Sequence, residues 1–167
     1  MSDSYAGFER WYAECHPRLL GVLTIVSGNA DVASEATDEA FVRALARWQK
    51  VRAMKSPAGW TYKVALNILR RRLRRQRSEQ ELLRAGETVV QRDPSLWLQV
   101  LEALEPLTVR QRTVLALVYV ADLPQDEVAE LLHIARSTVA STLADAKEAV
   151  LSNDRDADEL YRARRSP

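Results

Sequence analysis

Apolar residues recur every three or four positions along most of the 167-residue chain, and no stretch alternates as a strand would. Residues 5–26 predict a first helix, with Phe8, Trp11, Tyr12, Leu19, Leu20 and Leu23 at its apolar positions. Ser27-Gly28-Asn29 breaks it, and Asn29 is placed to cap a second helix over about 31–48. In that helix Ala33, Ala36, Ala40, Phe41, Ala44 and Trp48 share one side, while Asp31, Glu35, Asp38 and Val42 share the other. Gln49 to Lys55 reads as a loop. Ser56-Pro57 reads as an N-cap with proline at the first helical position, opening a third helix that runs to about Arg77. Its apolar stripe is Trp60, Val64, Ala65, Ile68 and Leu73; its polar face is Lys63, Asn67, Arg70, Arg71 and Arg74.

The periodicity weakens over 78–94, which reads as a linker that is helical only at its start. Helices follow at roughly 95–104, 109–120, 125–132 and 136–151, and Thr108 with Gln111 forms a capping-box signature before the second of these. The tail, 152–167, has few apolar residues and reads as frayed or loosely helical. The expected fold is all-α: one small helical domain over 1–77, a linker over 78–94 and a second small helical domain over 95–151.

Composition narrows the function. With 5 Gly and 6 Pro, the chain lacks the punctuation of a turn-rich β fold. No apolar run reaches the ~20 residues that span a bilayer, so no membrane insertion is expected, and the lack of a signal pattern predicts a cytoplasmic protein. One cysteine, Cys15, and two distant histidines, His16 and His133, leave little room for a disulfide or a metal centre. There is no phosphate-cradling glycine loop and no nucleophile elbow, so neither a cofactor nor a catalytic set is expected. The charge is uneven: residues 1–77 hold 14 basic and 7 acidic side chains, residues 78–167 hold 10 and 16. A half of +7 joined to a half of −6 points to one end that meets a polyanion and another with different company.

Two segments bear candidate chemistry. Arg70, Arg71, Arg72, Arg74, Arg75 and Arg77 wrap the end of the third helix. Guanidinium pairs bidentately with phosphate. Attraction to the helix C-terminus accounts for one or two of them, and solubility or an acidic protein partner remains an alternative for the rest. Trp60 and Tyr62, beside Lys55 and Lys63, could stack on single-stranded bases, with a core position the alternative for Trp60. Residues 124–150 fit a helix-turn-helix, with Val128, Ala129 and Leu132 inside the first helix, Ile134 in the turn, and Val139, Leu143, Ala146 and Val150 inside the second. An ordinary αα-hairpin has the same apolar pattern.

The order of these parts resembles the small two-domain bacterial sigma factors of the extracytoplasmic-function (ECF) group. The resemblance spans about 5–151. It rests on 31–48, on Ser56-Pro-Ala-Gly-Trp-Thr-Tyr-Lys through Arg75, on Leu101 through Arg112, and on Asp126-Glu-Val-Ala-Glu-Leu-Leu132 with Ser137-Thr-Val139. It implies a protein that directs core RNA polymerase to promoters and helps melt them. By the same resemblance, Asp31, Glu35, Asp38, Glu39 and Arg43 would dock on the β′ clamp helices. Lys55, Ser56, Trp60, Lys63 and Asn67 would capture the melted minus-ten strand, and Arg70, Arg71, Arg74 and Arg75 would hold duplex phosphates. The second domain would meet the β flap and place Arg136, Ser137, Thr138, Ser141 and Thr142 in the minus-thirty-five element. An anti-sigma factor is a further partner that the resemblance allows.

The chain departs from the family pattern in the helix-turn-helix. His133 stands where glycine is common, Ala135 where serine is common, and Arg136-Ser137 where Pro-Gly is common. Ala140, Thr142 and Asp145 occupy recognition-helix positions that are usually basic. Weak duplex binding by 95–151 is therefore expected. The competing expectation is a sigma-like adaptor or antagonist that acts through protein contacts alone.

Overall fold

The computed structural model describes residues 2–82 and 96–165. Eight helices follow one another among them: α1 (Ser2–Ser27), α2 (Ala30–Leu45), α3 (Trp48–Val51), α4 (Pro57–Leu82), α5 (Leu96–Ala103), α6 (Val109–Tyr119), α7 (Gln125–Leu132) and α8 (Arg136–Arg165). The all-α expectation and the helix order hold. Most of the expected linker, from residue 83 to 94, lies outside the described residues.

Local chemistry sets the helix starts. Asn29 accepts from the Val32 amide at 3.1 Å and caps α2. The Thr108 side chain accepts from the Gln111 amide at 3.2 Å, while Gln111 Oε1 accepts from the Thr108 amide at 2.9 Å, completing the capping box of α6. Ser56 Oγ accepts from the Gly59 amide at 2.9 Å at the head of α4. Several boundaries differ from expectation. The third predicted helix runs on to Leu82 rather than ending near Arg77, so the arginine run lies inside α4 and not at its end. The second helix ends at Leu45, and Trp48 instead opens the short α3, so part of the expected loop is helical. Trp48 is buried against Phe8 and Trp11, with ring centroids 5.3 and 4.9 Å away, and that packing draws the turn inward. The last helix does not stop near 151 but runs on to Arg165.

Helices α1, α2 and α4 pack on one another as a first bundle, and α6, α7 and α8 form a second. Buried Leu19, Leu23 and Leu69 anchor the first bundle, and Leu117, Val114, Val128 and Val139 the second. Each such side chain contributes about 1.5–3 kcal/mol by leaving water. The bundles also touch: α6 packs on α1, and α7 on α4. Leu19, Gly21, Val22, Leu23, Ile25 and Val26 leave almost no exposed face on the second half of α1. A helix apolar all round is buried all round, and here α2 and α6 share the covering. Arg112 of α6 reaches the end of α1, its Nη1 lying 3.8 Å from where a Cβ on Gly28 would sit. A guanidinium is favoured at that negative helix end. Among the described residues no helix is long and apolar enough to cross a membrane.

Candidate nucleic-acid and polymerase interfaces

α4 divides its residues sharply. Thr61, Tyr62, Ala65, Leu66, Ile68 and Leu69 are buried, whereas Lys63, Asn67, Arg70, Arg71 and Arg74 are exposed at three- and four-residue spacing. A basic stripe therefore runs down one side of a helix whose other side is core. Arg75 is exposed beside it, Lys55 is exposed just before the helix, and Trp60 and Ser56 are half-buried at its head.

Two expectations on this helix fail. Tyr62 is 3 % exposed, so its ring serves the core and cannot stack on a base. Burial pushes its hydroxyl far above the usual tyrosine range, with Cys15 a lesser cause in the same direction. Arg72 leaves the stripe as well. It donates to Glu35 and, at 3.0 Å, to Glu39 Oε2, so it ties α4 to α2 rather than facing a polyanion. The side chain of Arg77 lies outside the described residues.

α2 shows a contrasting face. Asp31, Glu35, Asp38 and Val42 are exposed along it, with Glu39 half-buried and Arg43 exposed nearby. Val42 is 65 % exposed and Leu45 37 %, so an apolar strip lies among the acids. Glu39 also accepts from Arg43, and its hydrogen bond from Arg72, ahead of the charge of Arg43, holds its carboxyl below the usual glutamate range. Asp38 Oδ1 lies 3.4 Å from His16 Nε2.

In the second bundle α7 and α8 form the helix-turn-helix. Val128, Ala129, Val139, Leu143 and Ala146 are buried on its inner side, and Ile134 is half-buried in the turn. His133 adopts φ 56° and ψ 48°, the left-handed conformation that glycine takes most easily. Ala135 caps α8 only through its carbonyl, which accepts from the Thr138 amide at 2.9 Å and the Val139 amide at 3.2 Å. Arg136 and Ser137 are exposed at the head of α8, but Arg136 Nε lies 3.0 Å from Asp126 Oδ1. Thr138 is half-buried, and exposed Ser141 turns its hydroxyl onto the Thr138 carbonyl at 3.2 Å. Thr142 is 7 % exposed and packs on the inner side with Leu143, so it cannot reach a groove; this corrects its assignment as a DNA contact. Lys147 lies over the Tyr119 ring, 5.8 Å from its centroid.

The two bundles meet where the expected strand-capture residues lie. Ser56 Oγ donates to Glu127 Oε1, and Lys63 Nζ donates to His133 Nε2 at 2.8 Å. An ammonium has no acceptor, so in this contact Lys63 is the donor and the ring nitrogen the acceptor. Sequence reasoning found Ser56 and Lys63 but not their partners.

Comparison with known proteins agrees with these parts. Residues 11–79 match the family model of Sigma-70 region 2, and residues 97–150 that of Sigma-70, region 4. Among solved structures, the chain is similar to the sigma factor RpoE of Bartonella quintana, determined in complex with the anti-sigma factor NepR. The identity is 18% and the TM-score 0.75, over 87% of this chain and 95% of that one. It is also similar to CnrH, determined in complex with the cytosolic domain of CnrY, at 19% identity and a TM-score of 0.64, over 94% and 95% of the two chains. No curated protein sequence matches it.

Proposed function

The chain belongs to the sigma-70 family, in its ECF group, and from that premise we propose how its faces divide the work of transcription initiation. The domain over 1–77 docks α2 on the β′ clamp helices of core RNA polymerase through Asp31, Asp38 and the apolar Val42 beside them. Glu35, Glu39 and Arg43 contribute there while Glu35 and Glu39 also brace Arg72. Lys55, Ser56, Trp60, Lys63 and Asn67 receive the displaced minus-ten strand, and Arg70, Arg71, Arg74 and Arg75 hold phosphates of the adjacent duplex. The segment 78–94 connects past the RNA exit channel. The domain over 95–151 meets the β flap and turns Arg136, Ser137 and the α8 face with Thr138 and Ser141 to the minus-thirty-five element, weakly, because Ala140 and Asp145 on that face supply no positive charge. The tail, 152–167, receives no role.

The observation that carries this reading is the separation on α4 and α2: a continuous exposed basic stripe on one helix, an acidic and apolar strip on its neighbour. A polyanion and a protein can thus be held at once. The protein acts as a binding subunit in the cytoplasm, with no chemistry of its own. The B. quintana sigma factor was determined in complex with an anti-sigma factor, and a protein of that kind is proposed as a regulator here. Run-off transcription with core polymerase tests the proposal. A defined start that depends on this chain is expected; polymerase binding without any start would favour the adaptor, and no polymerase binding would overturn both.

A further inference from the structure

Two of the donors offered to a captured strand at the head of α4, Ser56 and Lys63, are already in use. Glu127 of α7 brings a carboxylate to Ser56, the capping residue of a 26-residue helix. The approach is close: a Cβ added at Gly59, in the first turn, would come within 2.8 Å of Glu127 Oε1. Anions are stabilised at this positive helix end, and a carboxylate there has the charge and acceptor geometry of a phosphate. One turn on, Lys63 is satisfied by the His133 ring nitrogen, which is the kind of acceptor a base edge presents. A donor that is held by Glu127 or His133 is not available to nucleic acid.

The backbone at His133 adds an independent point. A non-glycine residue at φ 56° stores strain, and such strain persists where the surroundings demand it. Glycine at this position would relieve the strain but remove the acceptor for Lys63. Besides these polar contacts, α1 and α6 pack on one another, which supplies adhesion that two hydrogen bonds alone would lack.

Resting on the assignment of α4 to strand capture, we infer that Glu127 and His133 form an internal clasp. They stand in for phosphate and base on the α4 head and hold the two domains closed until polymerase draws them apart. The helix-turn-helix domain thereby works as an inhibitor of its own chain, through α7 and the turn rather than through its recognition helix.

The test uses the full chain and the double substitution Glu127→Ala with His133→Gly. X-ray scattering reads the closed or open form, and anisotropy with a fluorescein-labelled oligodeoxythymidylate reads access to α4. The variant should have a larger radius of gyration and bind the oligonucleotide roughly tenfold tighter, the factor that ~1.4 kcal/mol makes. Asp126→Ala, which removes a neighbouring carboxylate that faces Arg136 instead of α4, should leave the radius of gyration unchanged. Unchanged dimensions and unchanged affinity in the double variant overturn the clasp, as does an equal change of dimensions from Asp126→Ala. Should the double variant fail to fold by circular dichroism, Glu127→Gln must shift both readings in the same direction, and its failure to do so overturns the clasp. A pull-down of the wild-type chain with core polymerase separates the two proposals: no association removes the functional reading, while the scattering result still decides the clasp.

Discussion

Arg72 sits in the arginine run of α4, yet its guanidinium lies 3.0 Å from Glu39 of α2 and also donates to Glu35. One arginine of the cluster is thus a brace between helices, while its neighbours at 70, 71 and 74 are exposed. Arg72→Ala is expected to lower folding stability by about 0.5–1 kcal/mol, the scale of partly exposed pairs, measured by urea unfolding. Arg74→Ala should leave stability within about 0.5 kcal/mol, as exposed sites do. Its effect should appear in the salt dependence of promoter binding by the holoenzyme, with a slope smaller by ~0.9. Equal effects of the two substitutions on stability would contradict the brace.

The same pair predicts a response to acid. The hydrogen bond from Arg72, with Arg43 behind it, lowers the folded-state pKa of Glu39 below its unfolded value. The resulting stabilisation is complete above the ordinary glutamate range and is lost as pH falls through the lowered folded value. Glu39→Gln should therefore flatten the acid limb of the stability curve between about pH 5 and pH 3 and lower the plateau at neutral pH. Urea titrations at several pH values measure both. A mutant curve parallel to the wild type through this window would exclude the linkage.

Cys15 is half-buried on α1, and burial, then the neighbouring Glu14, push its thiol pKa up despite Arg18. Thiolate is the reactive form, so alkylation by iodoacetamide at pH 8 should be slower than in the urea-unfolded chain by roughly tenfold or more. Mass spectrometry of quenched samples gives the rates. A folded rate equal to the unfolded one would contradict the raised pKa.

Asp122, between α6 and α7, has φ 56°. Aspartate and asparagine tolerate the left-handed region better than branched residues do. Asp122→Asn should be near neutral, and Asp122→Val should cost about 1–2 kcal/mol in thermal or urea unfolding. Similar stabilities for the two variants would show that this turn relaxes to another conformation.

Helix order, the caps at Asn29, Ser56 and Thr108, and the basic stripe of α4 were legible in the sequence, because each depends on residues within a turn or two of one another. The left-handed turn at His133 was signalled only through the resemblance, which puts glycine at that position. Other features needed the tertiary structure. Tyr62 and Thr142 have polar atoms that suit a binding face, but the helices packed over them bury both. Arg72 looks like its neighbours in the chain, and only the position of α2 makes it a brace. The partnership of Ser56 with Glu127 and Lys63 with His133 joins residues about seventy positions apart. Local periodicity states which face of a helix is apolar or charged; it does not state which other helix that face will meet, since that choice is made by the packing of all the helices together.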